Sequence, residues 1–165
     1  MKSCPLLLWT GLTLVALLPT VSLSQQPAVR PRASLTLTLL MYTMDKQTAD
    51  QVLGGQQSGS DVSGSHGKVT ALVSSKKATL TSMTSVSTRS GNRASGRSAQ
   101  VTLSVDPVIG PDGVRVSMAG TVTAGTQKLT LPLTILSMGD TAMVGRLDDP
   151  ATGVSEVAFL RLQSQ

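Results

Sequence analysis

The chain has 165 residues, a mass of 17.1 kDa and a formal charge of +5. Charged residues make up 14% and aromatics 2%, with one Cys, one His, one Trp, one Tyr and one Phe. Two Cys/His ligands fall short of the roughly four that a structural zinc site needs. The same count excludes haem, iron–sulfur and disulfide-scaffold classes. Base-stacking nucleic-acid modules need aromatic platforms that this chain lacks, so nucleic acid is not an expected partner.

Met1–Lys2 is a short positive start, followed by the apolar run Leu6–Leu18 and then by Pro19, Ser22 and Ser24. This is the pattern of a secretory signal peptide, predicted over residues 1–24 with cleavage after Ser24. The run is shorter than the roughly 20 residues of a membrane span. Cleavage would remove Cys4, Trp9 and Lys2, lowering the formal charge from +5 to +4. The mature chain would then hold itself together by its core alone, without disulfides. Its mild positive charge suits solubility, or contact with an acidic membrane surface that it does not span.

Residues 25–32 (QQPAVRPR) read as a linker interrupted by Pro27 and Pro31. Ser34–Met44 alternates Leu35, Leu37, Leu39 and Met41 against Thr36, Thr38, Leu40 and Tyr42. That predicts a strand with one core face and one half-covered face. Asp45 is a helix N-cap, and Lys46–Leu53 a short helix stopped by Gly54. Gly55–Gly67 reads as a flexible Gly/Ser loop, and Lys68–Lys77 fits either a strand or one to two helical turns.

Ala78–Thr88 is predicted as a strand with Leu80, Ser82, Thr84 and Val86 in phase, and Arg89–Arg97 as a turn. Ser98–Val105 and Val114–Val122 form a predicted hairpin, with Val114, Val116 and Met118 on one face and Asp106–Gly113 as its turn. Lys128–Leu136 contains Pro132, which marks an edge or a bulge. Ser137–Asp140 is a tight turn, Thr141–Leu147 a strand, Asp148–Ser155 a polar loop and Glu156–Leu162 a last strand. The predicted class is mainly β with minor α: a small antiparallel sandwich or curled sheet with one or two short helices, filling residues 33–165.

Signals for catalysis are weak. Ser74 and Lys77 have Ser-x-x-Lys spacing, without the companion elements that would make an acyl-transfer site. His66, in the Gly/Ser loop, reads as a solvated side chain with no partner to orient it. Gly59 and Gly64 have phosphate-loop spacing, but Ser65 stands where the lysine belongs. The aspartates act as turn formers, too few at fixed spacing for calcium. No enzymatic activity, metal or cofactor is expected. Arg89, Arg93 and Arg97 share one turn region and are the candidate interaction loop, suited to phosphate-bearing lipid or an acidic partner.

The order of three segments resembles the C-terminal β-domain of bacterial secretins, the outer-membrane rings of type II and III secretion, type IV pili and phage export. Thr84–Ala94 (TSVSTRSGNRA) comes first, then Val101–Val114 with Asp106, Pro107, Ile109, Asp112 and Gly113. Met138–Leu147 follows, with Gly139, Asp140, Thr141, Gly145 and Leu147 at family positions and Arg146 replacing a second glycine. The family's gate hairpins, between Ala94 and Val101, and its lip segment, after Leu147, have no counterpart, so the likeness is to a trimmed core. In this resemblance Gly139–Asp140 makes a turn, Thr141–Val144 a buried strand, and Gly145 breaks that strand. It implies a non-enzymatic structural or accessory component of a secretion or pilus assembly, in the periplasm or at the outer membrane. Its partners would be other copies of itself, through strand-edge pairing, or secretion-system proteins. The alternative is a stand-alone secreted β-sandwich that binds a surface polymer or protein through loops such as Gly55–Gly67 and Arg89–Arg97.

Overall fold

A computed structural model describes residues 34–165. The signal-peptide and linker expectations for residues 1–24 and 25–32 lie outside the described residues. The chain runs β1 (Ser34–Asp45), α1 (Lys46–Leu53), α2 (Ser63–Ser74), β2 (Ala78–Arg89), β3 (Ala94–Arg97) and β4 (Val101–Ile109). It continues through β5 (Arg115–Ala124), β6 (Gln127–Ser137), β7 (Thr141–Asp149) and β8 (Val154–Ser164). The strands form two antiparallel four-stranded sheets, ordered β2-β1-β8-β7 and β3-β4-β5-β6. This is the predicted small sandwich with two short helices. Among the described residues no helix is long and apolar enough to cross a membrane.

Alternation builds the core. Leu35, Leu37, Leu39 and Met41 of β1 meet Ala158, Leu160 and Leu162 of β8, Leu103 and Val105 of β4, and Val116 and Met118 of β5 between the sheets. The other face of β1 is half covered. Thr36 and Thr38 bond across to Ser87 and Ser85, whereas Leu40, Tyr42 and Met44 lie in a second cluster with Ala49 and Leu53 of α1 and Val69 of α2. Asp45 caps α1 through Thr48 N–H at 2.8 Å.

Several expectations need correction. The segment left open between strand and helix, together with the second half of the Gly/Ser loop, folds as α2. Burying Val69 (0% exposed) and Ser65 overrides poor helix propensity. Leu80 points away from the core, because the β1–β2 register shifts at Met41/Tyr42 and sets it opposite Tyr42 on the helix-bearing face. The turn begins later than Asp106, since β4 runs on to Ile109. Pro107 fits there because β3 stops pairing at Val105 and Gly91 N–H donates to the Pro107 carbonyl. Val114 is 53% exposed, in the turn before β5 rather than on the Val116–Met118 face. The Arg89–Arg97 turn is interrupted by β3. β7 runs to Asp149 and β8 starts at Val154, so the polar loop shrinks to four residues.

Gly145 does not end a strand. A register shift at Met143/Gly145 turns Val144 and Gly145 toward the same side, where a Cβ at 145 would lie 2.9 Å from Leu129 Cδ2. Small size at 145 lets β6 and β7 close one side of the sandwich. Pro132 marks both an edge strand and the β5–β6 register shift, as expected. The free edge of β7 is covered by the segment after α1: Gly59 N–H and Val62 N–H donate to the carbonyls of Met143 and Thr141. Ser58 Oγ donates to Val144 O at 2.5 Å and lies 3.2 Å from Thr130 O of β6.

Candidate binding cleft

The opposite side of the sandwich does not close along its whole length. β3 has four residues and stops at Arg97, while β2 and β4 extend past it. The gap between Thr81–Met83 of β2 and Ser98–Gln100 opens a cavity of about 560 Å³. Met41, Val101 and Ala124 supply apolar lining, and Ser82, Ser98 and Gln100 supply polar groups. Ser82 Oγ and Ser98 Oγ are 2.9 Å apart and share a hydrogen bond. Gly125 N–H donates to the Gln100 carbonyl, fixing the β5–β6 turn beside the cavity. Its volume falls within the range of small-molecule sites, and its lining is evenly divided between polar and apolar groups.

Glu156 lies where this cavity meets a second of about 430 Å³, bordered by Leu147, Asp148, Asp149 and Gln127. It is the chain's single glutamate. Strand alternation turns it inward with Ala158, Leu160 and Leu162, so a half-buried carboxylate sits at the open end of the core. Asp148 is held by Arg146 Nε at 2.5 Å and Ser155 Oγ at 2.6 Å. Asp149 accepts from Ala151 N–H and Thr152 Oγ. Glu156 has no side-chain hydrogen bond or ion pair among the described residues. No group of three or more His, Cys, Asp or Glu among them gathers into a metal site.

The residues singled out from the sequence lie mostly at the other end. Asp106, Pro107 and Ile109 end β4, Asp112 and Gly113 form the next turn, and Gly139 and Asp140 form the β6–β7 turn leading into Thr141. Met138 N–H donates to Val114 O, which brings the two turns together. Asp112 Oδ1 accepts from Val114 and Arg115 N–H, and Asp140 Oδ2 from Ser137 N–H. Thr141–Val144 is buried in β7, as the sequence predicts. Leu147 alone of these residues reaches the second cavity.

The three arginines do not act as one loop. Arg93 makes two 2.8 Å bonds to Asp106, which holds that carboxyl below the usual carboxylate range. Arg89 ends β2, and Arg97 sits at the far end of β3 beside Thr102 and Thr123 in a depression on the outer side of the β4–β5 ladder. Arg146 has a fixed role instead: at 15% side-chain exposure it bonds Asp50 at 2.6 Å as well as Asp148, tying α1 to β7. Ser74 donates to Thr70 O within α2, and Lys77 follows the helix end, where its N–H bonds Leu72 O.

His66 is not solvated. It lies in α2, half-buried, with Nε2 3.1 Å from Tyr42 Oη and its ring edge-on to Phe159 at 5.3 Å. Tyr42 and Phe159 also meet edge-on, at 5.8 Å. Burial, and then the charge of Arg161, push the imidazole pKa below its usual 6.5. The unfolded chain therefore takes up a proton at higher pH than the folded chain does. Stability is full above about 6.5 and falls as pH drops from there to the lowered folded value. Asp45, Asp106, Asp112, Asp148 and Asp149 are shifted down from 3.8, so their contribution is lost only in a separate, more acidic window. Urea unfolding between pH 7 and 5 is expected to show falling stability for the native chain and a flat profile for His66→Gln. A native profile that rises toward pH 5 would contradict this.

Glu156 opens the predicted last strand and is not among the residues the sequence singles out. Its phase with Ala158, Leu160 and Leu162 was the available signal. No family model, curated protein or solved structure matches this chain.

Proposed function

We propose that this chain is a non-enzymatic, exported binding module: a stand-alone β-sandwich that takes its ligand in the inter-sheet cleft beside β2. The observation carrying this reading is the cleft, an open cavity with apolar lining, adaptable hydroxyl and amide groups and a carboxylate turned inward. Building such a cavity means leaving the sheet pair unclosed at one end, where a longer β3 would have filled it. The test is amide chemical-shift mapping of the purified chain with a library of small polar molecules. Saturable shifts gathered on Met41, Ser82, Ser98, Gln100 and Ala124 support the reading. Saturable shifts elsewhere, or none, count against it.

A second reading, assembly of copies as in a secretin-like component at the periplasm or outer membrane, has one observation in its favour. Among the described residues β2 ladders with β1 alone and contains no proline, leaving its other edge without a ladder. By contrast, β6 is broken by Pro132 and β7 is covered by residues 58–62. Light scattering after size exclusion, with and without mild detergent, decides it: a defined ring-sized oligomer supports assembly, and a monomer in both removes it.

A further inference from the structure

Resting on the cleft reading, we propose that the ligand is an aliphatic amine whose ammonium group seats on Glu156. Three observations converge on that chemistry. Among the described residues Glu156 is half-buried, has no side-chain hydrogen bond or ion pair, and lines both cavities. Among the described residues no lysine or arginine lines either cavity, although the chain as a whole carries +5. A carboxylate facing a cleft with no counter-charge beside it is a ready seat for a cation. The cleft is prepared for positive charge within a basic protein.

The body of the ligand follows from the rest of the lining. Met41, Val101 and Ala124 offer apolar contact, and among the described residues no aromatic ring lines either cavity. Flat heterocycles and stacked sugars, which use aromatic platforms, therefore fit poorly, and a flexible methylene chain fits well. Ser82, Ser98 and Gln100 provide side-chain acceptors for a second nitrogen on one side of Glu156, and Asp149 on the other. A divalent metal is disfavoured by the donors themselves, since these carboxylates do not gather into a metal site. The ammonium has two sources, a free diamine or polyamine and the side chain of a lysine in an extended peptide.

The experiment uses the purified chain in about 0.15 M salt, where attraction between exposed charges is screened beyond about 8 Å. The probes are 1,5-diaminopentane, spermidine, a capped Gly-Lys-Gly peptide, and 1,5-pentanediol as a neutral isostere. The expected result is saturable amide shifts at Gln100, Ala124 and Glu156 with the amines and none with the diol. Glu156→Gln is expected to weaken binding at least tenfold, with Glu156→Asp intermediate; a matching amide spectrum shows each variant is folded. Free amines outbinding the peptide identifies a diamine or polyamine source, and the reverse a lysine side chain. Equal binding of diol and diamine, untouched by Glu156→Gln, overturns the amine proposal while leaving the cleft as a ligand site. Shifts scattered over surface aspartates also overturn it. If none of the probes perturbs the cleft, the amine proposal fails; the cleft reading fails with it only when the wider library also draws no response there.

Discussion

Replacing Phe159 with alanine is expected to destabilise the protein by about 3–5 kcal/mol, the range for deleting a fully buried aromatic ring. Phe159 is 0% exposed and packs edge-on against both Tyr42 and His66. These are the only Tyr, Phe and His in the chain, and they meet at one place, where α2 lies on the β1–β8 face. The second hydrophobic cluster otherwise consists of aliphatic residues, many of them small: Ala49, Val62, Val69, Ala78 and Val157. These small side chains cannot fill a ring-sized void, and whatever Met44 and Met143 do not fill remains as a cavity. The loss is expected to be local first. Hydrogen exchange should report the largest fall in protection for the amides of α1 and α2, and a smaller one for β4 and β5, whose contacts lie in the inter-sheet core. Phe159→Leu keeps most of the volume and should cost less than half as much. A Phe159→Ala loss below 1 kcal/mol, or equal loss of protection in α2 and β4, would show that the helices are not held by this cluster.

That local dependence explains what could and could not be read from the residues. The β1 alternation was legible because Leu35, Leu37, Leu39 and Met41 carry the same message as their neighbours across the sheet. Pro132 was legible because an edge and a bulge are the places where a strand tolerates a missing N–H. α2 was not legible, because SGSHGKVTALVS has few strong helix formers and two glycines. Its helical state depends on Val69 reaching Phe159's cluster and on His66 meeting Tyr42, partners 24 residues and more away. Pro107 was misread for the same kind of reason: a proline signals a turn locally, and only the late start of β3, at Ala94 opposite Val105, makes it harmless in β4. The cleft depends on two facts with no local signature, the shortness of β3 and the opposition of Glu156 to the gap it leaves. The arginines of the 89–97 segment are close in sequence, but Arg93 stands just before β3, paired with Asp106, and Arg97 at its far end.

Gly120→Ala is expected to destabilise by about 3 kcal/mol, the upper end of the overpacking range. Its sign runs against the general rule. In a strand or helix interior an alanine normally stabilises relative to glycine by about 0.5–1 kcal/mol, since it narrows the unfolded ensemble. At Gly120 that gain is overwhelmed by contact. β5 crosses β4 so closely there that an added Cβ would stand 2.8 Å from both the Cα and Cγ2 of Val105, and closer still to the Ser104 carbonyl oxygen. Two of those three atoms are backbone, so no rotamer change relieves the clash and the β4–β5 ladder itself must move. That ladder frames the inter-sheet core, with Leu103, Val105, Met118 and Val122 on either side. Gly67→Ala is the matched control. Gly67 lies inside α2, its φ is not positive, and an added Cβ meets nothing within 4 Å. It should stabilise by about 1 kcal/mol, because α2 is a helix maintained against its own composition. Urea denaturation of the two variants measures both effects on one scale. Opposite signs would show that close strand approach governs the first glycine and propensity the second. Stabilisation by both would mean that β5 has room to withdraw from β4, and that the tight crossing is not required for the sandwich to close.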